Sequence, residues 1–120
     1  MHLERGRHWE AAAGEYLERQ GLEILARGYR CRLGELDLVC REGRMLIVVE
    51  VRARATSPYG TAVSTIGPHK RARIIQATRH LLMRHAEWSA APVRFDVVTF
   101  DAIETATPAI RWIQNAFDTG

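Results

Sequence analysis

Lysine is nearly absent from this chain: sixteen of the seventeen basic residues are arginine, and Lys70 stands alone. A planar, permanently charged guanidinium favours two-pronged contacts with phosphate, although genomic codon bias produces the same skew. Cysteine is almost as scarce. Cys31 and Cys40 each fall within a stretch that reads as strand, which fits buried thiols in a reducing compartment better than a disulfide. The five histidines show no metal-ligand spacing with the cysteines, so a zinc site has no support and any metal is expected to be oxygen-bound. Long apolar runs are missing too. The stretch Leu46 to Val49 is far below the roughly 20 residues that span a bilayer, which argues against membrane insertion. The polar start Met-His-Leu-Glu-Arg-Gly-Arg has neither the apolar run nor the cleavage site of a secretory signal, and a cytoplasmic location is expected.

What remains is a chain of 120 residues with 47% hydrophobic and 26% charged side chains, enough to bury one core and read here as a single domain over residues 1–120. A net charge of +3 and a pI near 9.3 permit a polyanionic partner without demanding one. Helical spacing of Ala13, Tyr16 and Leu17 predicts a first helix from Glu4 to Gln20, stopped by Gly21. Glu10 lies on the apolar stripe of that helix and not on its solvent face. Residues 22–32 read as a strand with a bulge at Gly28, followed by the alternating strand Glu35 to Cys40. Glu42-Gly43 is expected to turn the chain into the strand Met45 to Arg52. Pro and Gly mark residues 55–67, Gly60 among them, as a loop long enough to carry a function. Pro68 opens a second helix reaching about Glu87, with Ile74, Ile75, Thr78, Leu81, Leu82 and His85 on one face. Val93 to Phe100 is a further strand, and Ile110 to Ile113 a short last one ahead of a frayed tail.

The hairpin carries a geometric consequence. With Glu42 and Gly43 as the loop, Arg41 faces Arg44, Asp37 faces Val48 and Glu35 faces Glu50. Because side chains alternate along strands, Glu35, Asp37, Glu50 and Arg52 share one face, and Leu36, Leu38, Ile47, Val49 and Val51 the other. Opposed carboxylates in otherwise apolar strands are destabilising unless a cation lies among them. Arg52 can serve as that cation in a purely structural ion pair. A hard divalent ion is the alternative, since oxygen-only ligands suit Mg²⁺ or Mn²⁺.

Gly34-Glu35-Leu36-Asp37-Leu38-Val39, followed thirteen residues after Asp37 by Glu50-Val51-Arg52, is similar to the D-x(n)-E-x-K signature of PD-(D/E)xK nucleases, and Holliday-junction resolvases use much the same spacing. That ordered set, together with Glu10, Tyr16-Leu17, Gly21, Arg30, Gly60, Lys70, Arg94-Phe95-Asp96 and Trp112-Ile113, resembles the bacterial YraN-like family over nearly the whole chain. The resemblance implies an α/β, restriction-endonuclease-like core, in which a mixed sheet of about five strands is flanked by helices in the order α-β-β-β-α-β-β. It implies that Asp37 and Glu50 bind Mg²⁺ or Mn²⁺, that Glu10 joins them from the first helix, and that DNA, branched DNA included, is hydrolysed at a phosphodiester. Homodimerisation is expected by analogy with resolvases.

Two positions depart from the pattern. Arg52 stands where the nuclease signature prefers Lys; it steadies negative charge but cannot act as a base. Lys70 is the candidate to supply the missing ammonium, against the plainer reading of a solvated surface lysine. Trp9 stands where the family usually has Gly. Trp88 and Trp112 can stack on bases, although core or interface packing is the commoner fate of such side chains. Two other functions fit the same residues. One is a non-catalytic nucleic-acid-binding module that uses Arg52, Arg54, Lys70, Arg71 and Arg73 on phosphates. The other is a protein-interaction domain whose acidic cluster is a relic.

Overall fold

The computed structural model describes residues 2–56, 58 and 66–119, with side chains from Gly6 onward. Helix α1 (His2–Arg19) leads into three antiparallel strands, β1 (Glu23–Cys31), β2 (Gly34–Glu42) and β3 (Met45–Arg54). Helix α2 (Pro68–Arg84) then crosses over to β4 (Val93–Asp101), parallel to β3, and β5 (Ala109–Phe117) returns antiparallel. Sheet order follows chain order. The α/β class, the five-stranded mixed sheet and the order α-β-β-β-α-β-β agree with expectation. Among the described residues no helix is long and apolar enough to cross a membrane.

A parallel β3/β4 pair needs a crossover on one face, so the two helices take opposite faces and the core has two halves. One half gathers Leu36, Val39, Leu46, Val48 and Phe95 beneath Ile74, Ala77 and Leu81 of α2. The other gathers Leu38, Cys40, Ile47, Val49 and Val98 beneath Ala13 and Leu17 of α1. The expected apolar faces of both helices are the ones buried. Gly21, at φ +99°, ends α1, with its amide bonded to the Glu18 carbonyl and that of Leu22 to Leu17, a left-handed cap closed by the Leu17–Leu22 contact.

Several boundaries are corrected. Helix α2 stops at Arg84, and Ala86–Trp88 forms a separate 3₁₀ turn. The β1 bulge sits between Ile24 and Ala26, although Gly28 does adopt a positive φ of 61°. Strand β5 runs on to Phe117 where a frayed tail was expected, because Phe117 stacks on Phe95 at 5.0 Å and closes the core. A register shift between Phe95 and Val97 accompanies this, with Asn115 at φ 53°. The loop expected over residues 55–67, with Gly60, lies largely outside the described residues.

Gly34 begins β2 for a steric reason. A methyl group there would meet the Arg73 carbonyl oxygen of α2 at 2.8 Å, and a backbone atom cannot swing aside. Gly34→Ala is expected to push α2 off the sheet and to lower stability by about 1–3 kcal/mol, read as a lower urea midpoint with unchanged slope.

Candidate metal centre

The hairpin turn is Gly43-Arg44, with Glu42 opposite Met45, one residue later than expected. Glycine at positive φ suits the first place of a two-residue turn, and Gly43 has φ 60°. The shift preserves which residues share a face but changes who opposes whom: continuing the register puts Asp37, and not Glu35, opposite Glu50. The β2/β3 ladder runs only as far as Leu38↔Val49. Beyond it the Val51 amide donates to Asp37 Oδ2 at 2.8 Å. On the other side of β2, Gly28 lies opposite Asp37, between the pairs Arg27↔Leu38 and Tyr29↔Leu36.

Alternation along β2 breaks at this point. Leu36 packs with Val39 on the α2 side and Leu38 on the α1 side, so the expected common face of Leu36 and Leu38 does not exist. Glu35 falls beside Glu10 on the α1 side, paired to Arg30 at 3.5 Å, where it still lines a hollow with Asp37 but does not oppose Glu50. Asp37 stands where the strands part and meets neighbours from both faces.

Glu50 is 4% exposed. Its carboxyl is hydrogen-bonded to that of Asp37, and Lys70 Nζ lies 3.4 Å from Glu50 Oε1, with Arg52 Nη1 at 4.0 Å. Burial, and then the Asp37 charge beside it, push the Glu50 carboxyl up to about 8 in spite of those cations. Burial raises Asp37 as well, opposed by the Val51 amide. Both carboxyls therefore hold their protons more tightly than free ones do. Glu10 reaches the same place from α1. Desolvation, then Asp37 and Glu35, lift it to about 7.

The donor set fits a hard divalent cation in kind: two buried, adjacent carboxylates, raised chiefly by desolvation and able to offer oxygen ligands. It does not form a closed cage. Among the described residues no three His, Cys, Asp or Glu side chains gather tightly enough to enclose an ion; Glu10 faces Asp37 without joining the pair. An ion on Asp37 and Glu50 would draw its other oxygens from water and ligand, as Mg²⁺ habitually does.

The remaining sequence candidates divide. Lys70 and Arg52 flank Glu50, and Arg54 lines the same hollow as Glu10 and Asp37. Arg71 lies apart, its Nε donating to the Ile66 carbonyl at 3.0 Å and its guanidinium 5.6 Å from the Phe117 ring centre. Arg73 is exposed on α2. Trp112 donates to Asp96 Oδ2 at 2.9 Å, Trp88 stacks on His85 at 4.4 Å, and Trp9 packs on Phe100 at 4.7 Å.

Sequence reasoning passed over Asp96. It is fully buried and accepts from the Arg94 side chain, from the Trp112 indole and from the Asn115 amide, all at 2.9 Å. Both its oxygens are engaged, so it pins the β5 bulge. The readable sign was Arg94 two residues before Asp96 in an otherwise apolar strand.

The model of the Uncharacterised protein family UPF0102 matches residues 9–100. A UPF0102 protein of Pseudomonas fluorescens is 42% identical over 118 residues, 98% of this chain and 96% of the relative. One of Legionella pneumophila is 39% identical over 120 residues, 100% and 99% of the two chains, and one of Pseudomonas aeruginosa is 43% identical over 116 residues, 96% and 93%. The chain therefore belongs to the UPF0102 family, the YraN-like family that its ordered motifs resemble.

Proposed function

We propose that the protein is a metal-dependent nuclease of the PD-(D/E)xK kind, hydrolysing phosphodiester bonds in DNA. The observation that carries this reading is the buried Asp37–Glu50 pair with Lys70 Nζ at 3.4 Å. Two adjacent buried carboxylates that both hold their protons more tightly than free ones make a place that a divalent ion would favour. Asp37 and Glu50 would hold the Mg²⁺ or Mn²⁺, which would polarise the scissile phosphate and acidify a bound water.

The chain's own groups supply the rest. The Val51 amide holds Asp37 by Oδ2 at 2.8 Å. Arg52 stays protonated and is suited to steady the charge that builds on phosphate oxygens. Lys70 brings an ammonium within 3.4 Å of Glu50 Oε1, from a helix instead of from β3. Glu10, poised near 7 by its surroundings, is placed to accept a proton from water on the α1 side of Asp37.

The test is cleavage of labelled DNA with Mg²⁺ or Mn²⁺ and with chelator. Cleavage that needs the cation is expected, together with a loss of about 100–1000-fold in Lys70→Ala, a typical weight for one charge-stabilising group. Cleavage undiminished by chelation overturns the reading.

A further inference from the structure

Two hollows adjoin beneath the first half of α1. One, of about 440 Å³, lies between Trp9, Glu10 and the Arg52–Arg54 end of β3. The other, of about 640 Å³, extends toward β1 and is lined by Arg7, Arg27 and Arg30. Both include Gly6, Glu10 and Asp37, so they form one trough with the carboxylates at its middle and arginines at each end. On the β1 side, Arg27 lies 4.0 Å from Glu18 and Arg30 lies 3.5 Å from Glu35, and the side chain of each arginine is half or more exposed. Such solvent-screened pairs are weak and exchange readily for a phosphate.

Gly14 points the same way. A methyl group at that position would lie 2.4 Å from Arg27 Nη1. The missing side chain leaves room for the guanidinium against α1, where it faces the trough. The wall at the other end is the Trp9 indole, half-buried and backed by Phe100. A basic track beside an aromatic wall is how proteins hold one nucleic-acid strand, with phosphates on cations and a base on the ring.

We infer that Arg7, Arg27 and Arg30 form a phosphate-binding arm beyond the carboxylates, and that the trough takes a single strand of DNA and not an intact duplex. Duplex DNA is a stiff rod and cannot follow a hollow of this size under a helix to reach Asp37. A lone strand, such as a flap or an unpaired end, bends into it. This substrate class rests on the nuclease reading above, whereas binding by the arm does not.

The experiment is fluorescence anisotropy of labelled oligothymidylate, alone and annealed to its complement, across a salt series in chelator so that cleavage is silent. Wild type is expected to bind the single strand more tightly than the duplex. The triple change Arg7→Ala, Arg27→Ala, Arg30→Ala is expected to flatten the dependence of log affinity on log salt by about 2, near 0.7 for each phosphate no longer neutralised; the matching lysine triple keeps the slope. Gly14→Ala, favourable to the helix by about 1 kcal/mol, displaces the Arg27 guanidinium and is expected to weaken binding about twofold to fivefold. This variant holds the proposal open to refutation even where the triple variant fails to fold. An unchanged salt slope in the alanine triple, unchanged affinity in Gly14→Ala, or duplex bound as tightly as single strand overturns it. Binding of this pattern without cation-dependent cleavage sinks only the nuclease reading, and cleavage with an unaltered slope sinks only the arm.

Discussion

Asp37→Asn and Glu50→Gln are each expected to lower cation-dependent cleavage about a thousandfold or more, which is on the order of 4 kcal/mol of transition-state stabilisation, while far-UV circular dichroism stays that of wild type. The reason lies in what each amide keeps and loses. The Asp37→Asn side chain retains an oxygen for the Val51 amide, so the place where the strands part remains capped. The Glu50→Gln side chain retains an oxygen toward Lys70 and gains an NH₂ that donates to Asp37. Neither supplies the negative charge that a hard cation requires. Calorimetric titration with Mn²⁺ should show weakened binding in both variants, in parallel with the activity. Full activity in the pair would remove these residues from the centre.

Glu50→Gln is also expected to make the cation-free protein more stable at alkaline pH. The unfolded chain releases the Glu50 proton near the ordinary 4.5, whereas the folded chain holds it to about 8. The folded state thus binds more protons throughout that window, and its advantage is complete below 4.5 and fades as pH rises through 8. At about 1.4 kcal/mol per pH unit, the fall is on the order of 5 kcal/mol. Glutamine does not ionise, so the variant is expected to keep a shallower profile, with Glu10 still contributing up to about 7, and to exceed wild type at the upper end. Mg²⁺ added to wild type should offset the loss by binding the ionised pair, and should do nothing for the variant. Urea unfolding across the window, in chelator and in Mg²⁺, reads both effects. A flat wild-type curve would mean that no proton is trapped there.

Both helices and four of the five strands were legible at close to their full extent because periodicity reports burial directly. Ala13 and Leu17 on α1, Ile74 and Leu81 on α2, and the alternating run from Leu46 to Val49 all face the side their spacing demands. Asp37 and Glu50 converge for the same reason, since hairpin parity survives a one-residue error in the turn. Glu35 and Leu36 defeated the method because alternation presumes a continuous ladder, and β2 is released from β3 after Leu38. No sequence period marks such a release. The length of β5 was hidden likewise: Asn115 interrupts the pattern, and only a tertiary partner, Asp96, makes the interruption part of the strand. Lys70 could be nominated from its scarcity, but its approach to Glu50 depends on where the crossover helix lands.

Asp37 sits in the gap between two strands and belongs to neither surface of the sheet alone. Glu10 views it from one side, Lys70 and Glu50 from the other. On the nuclease reading, a strand lying in the α1-side hollows would therefore meet Asp37 edge-on, with Glu50 and Lys70 behind it in the wall.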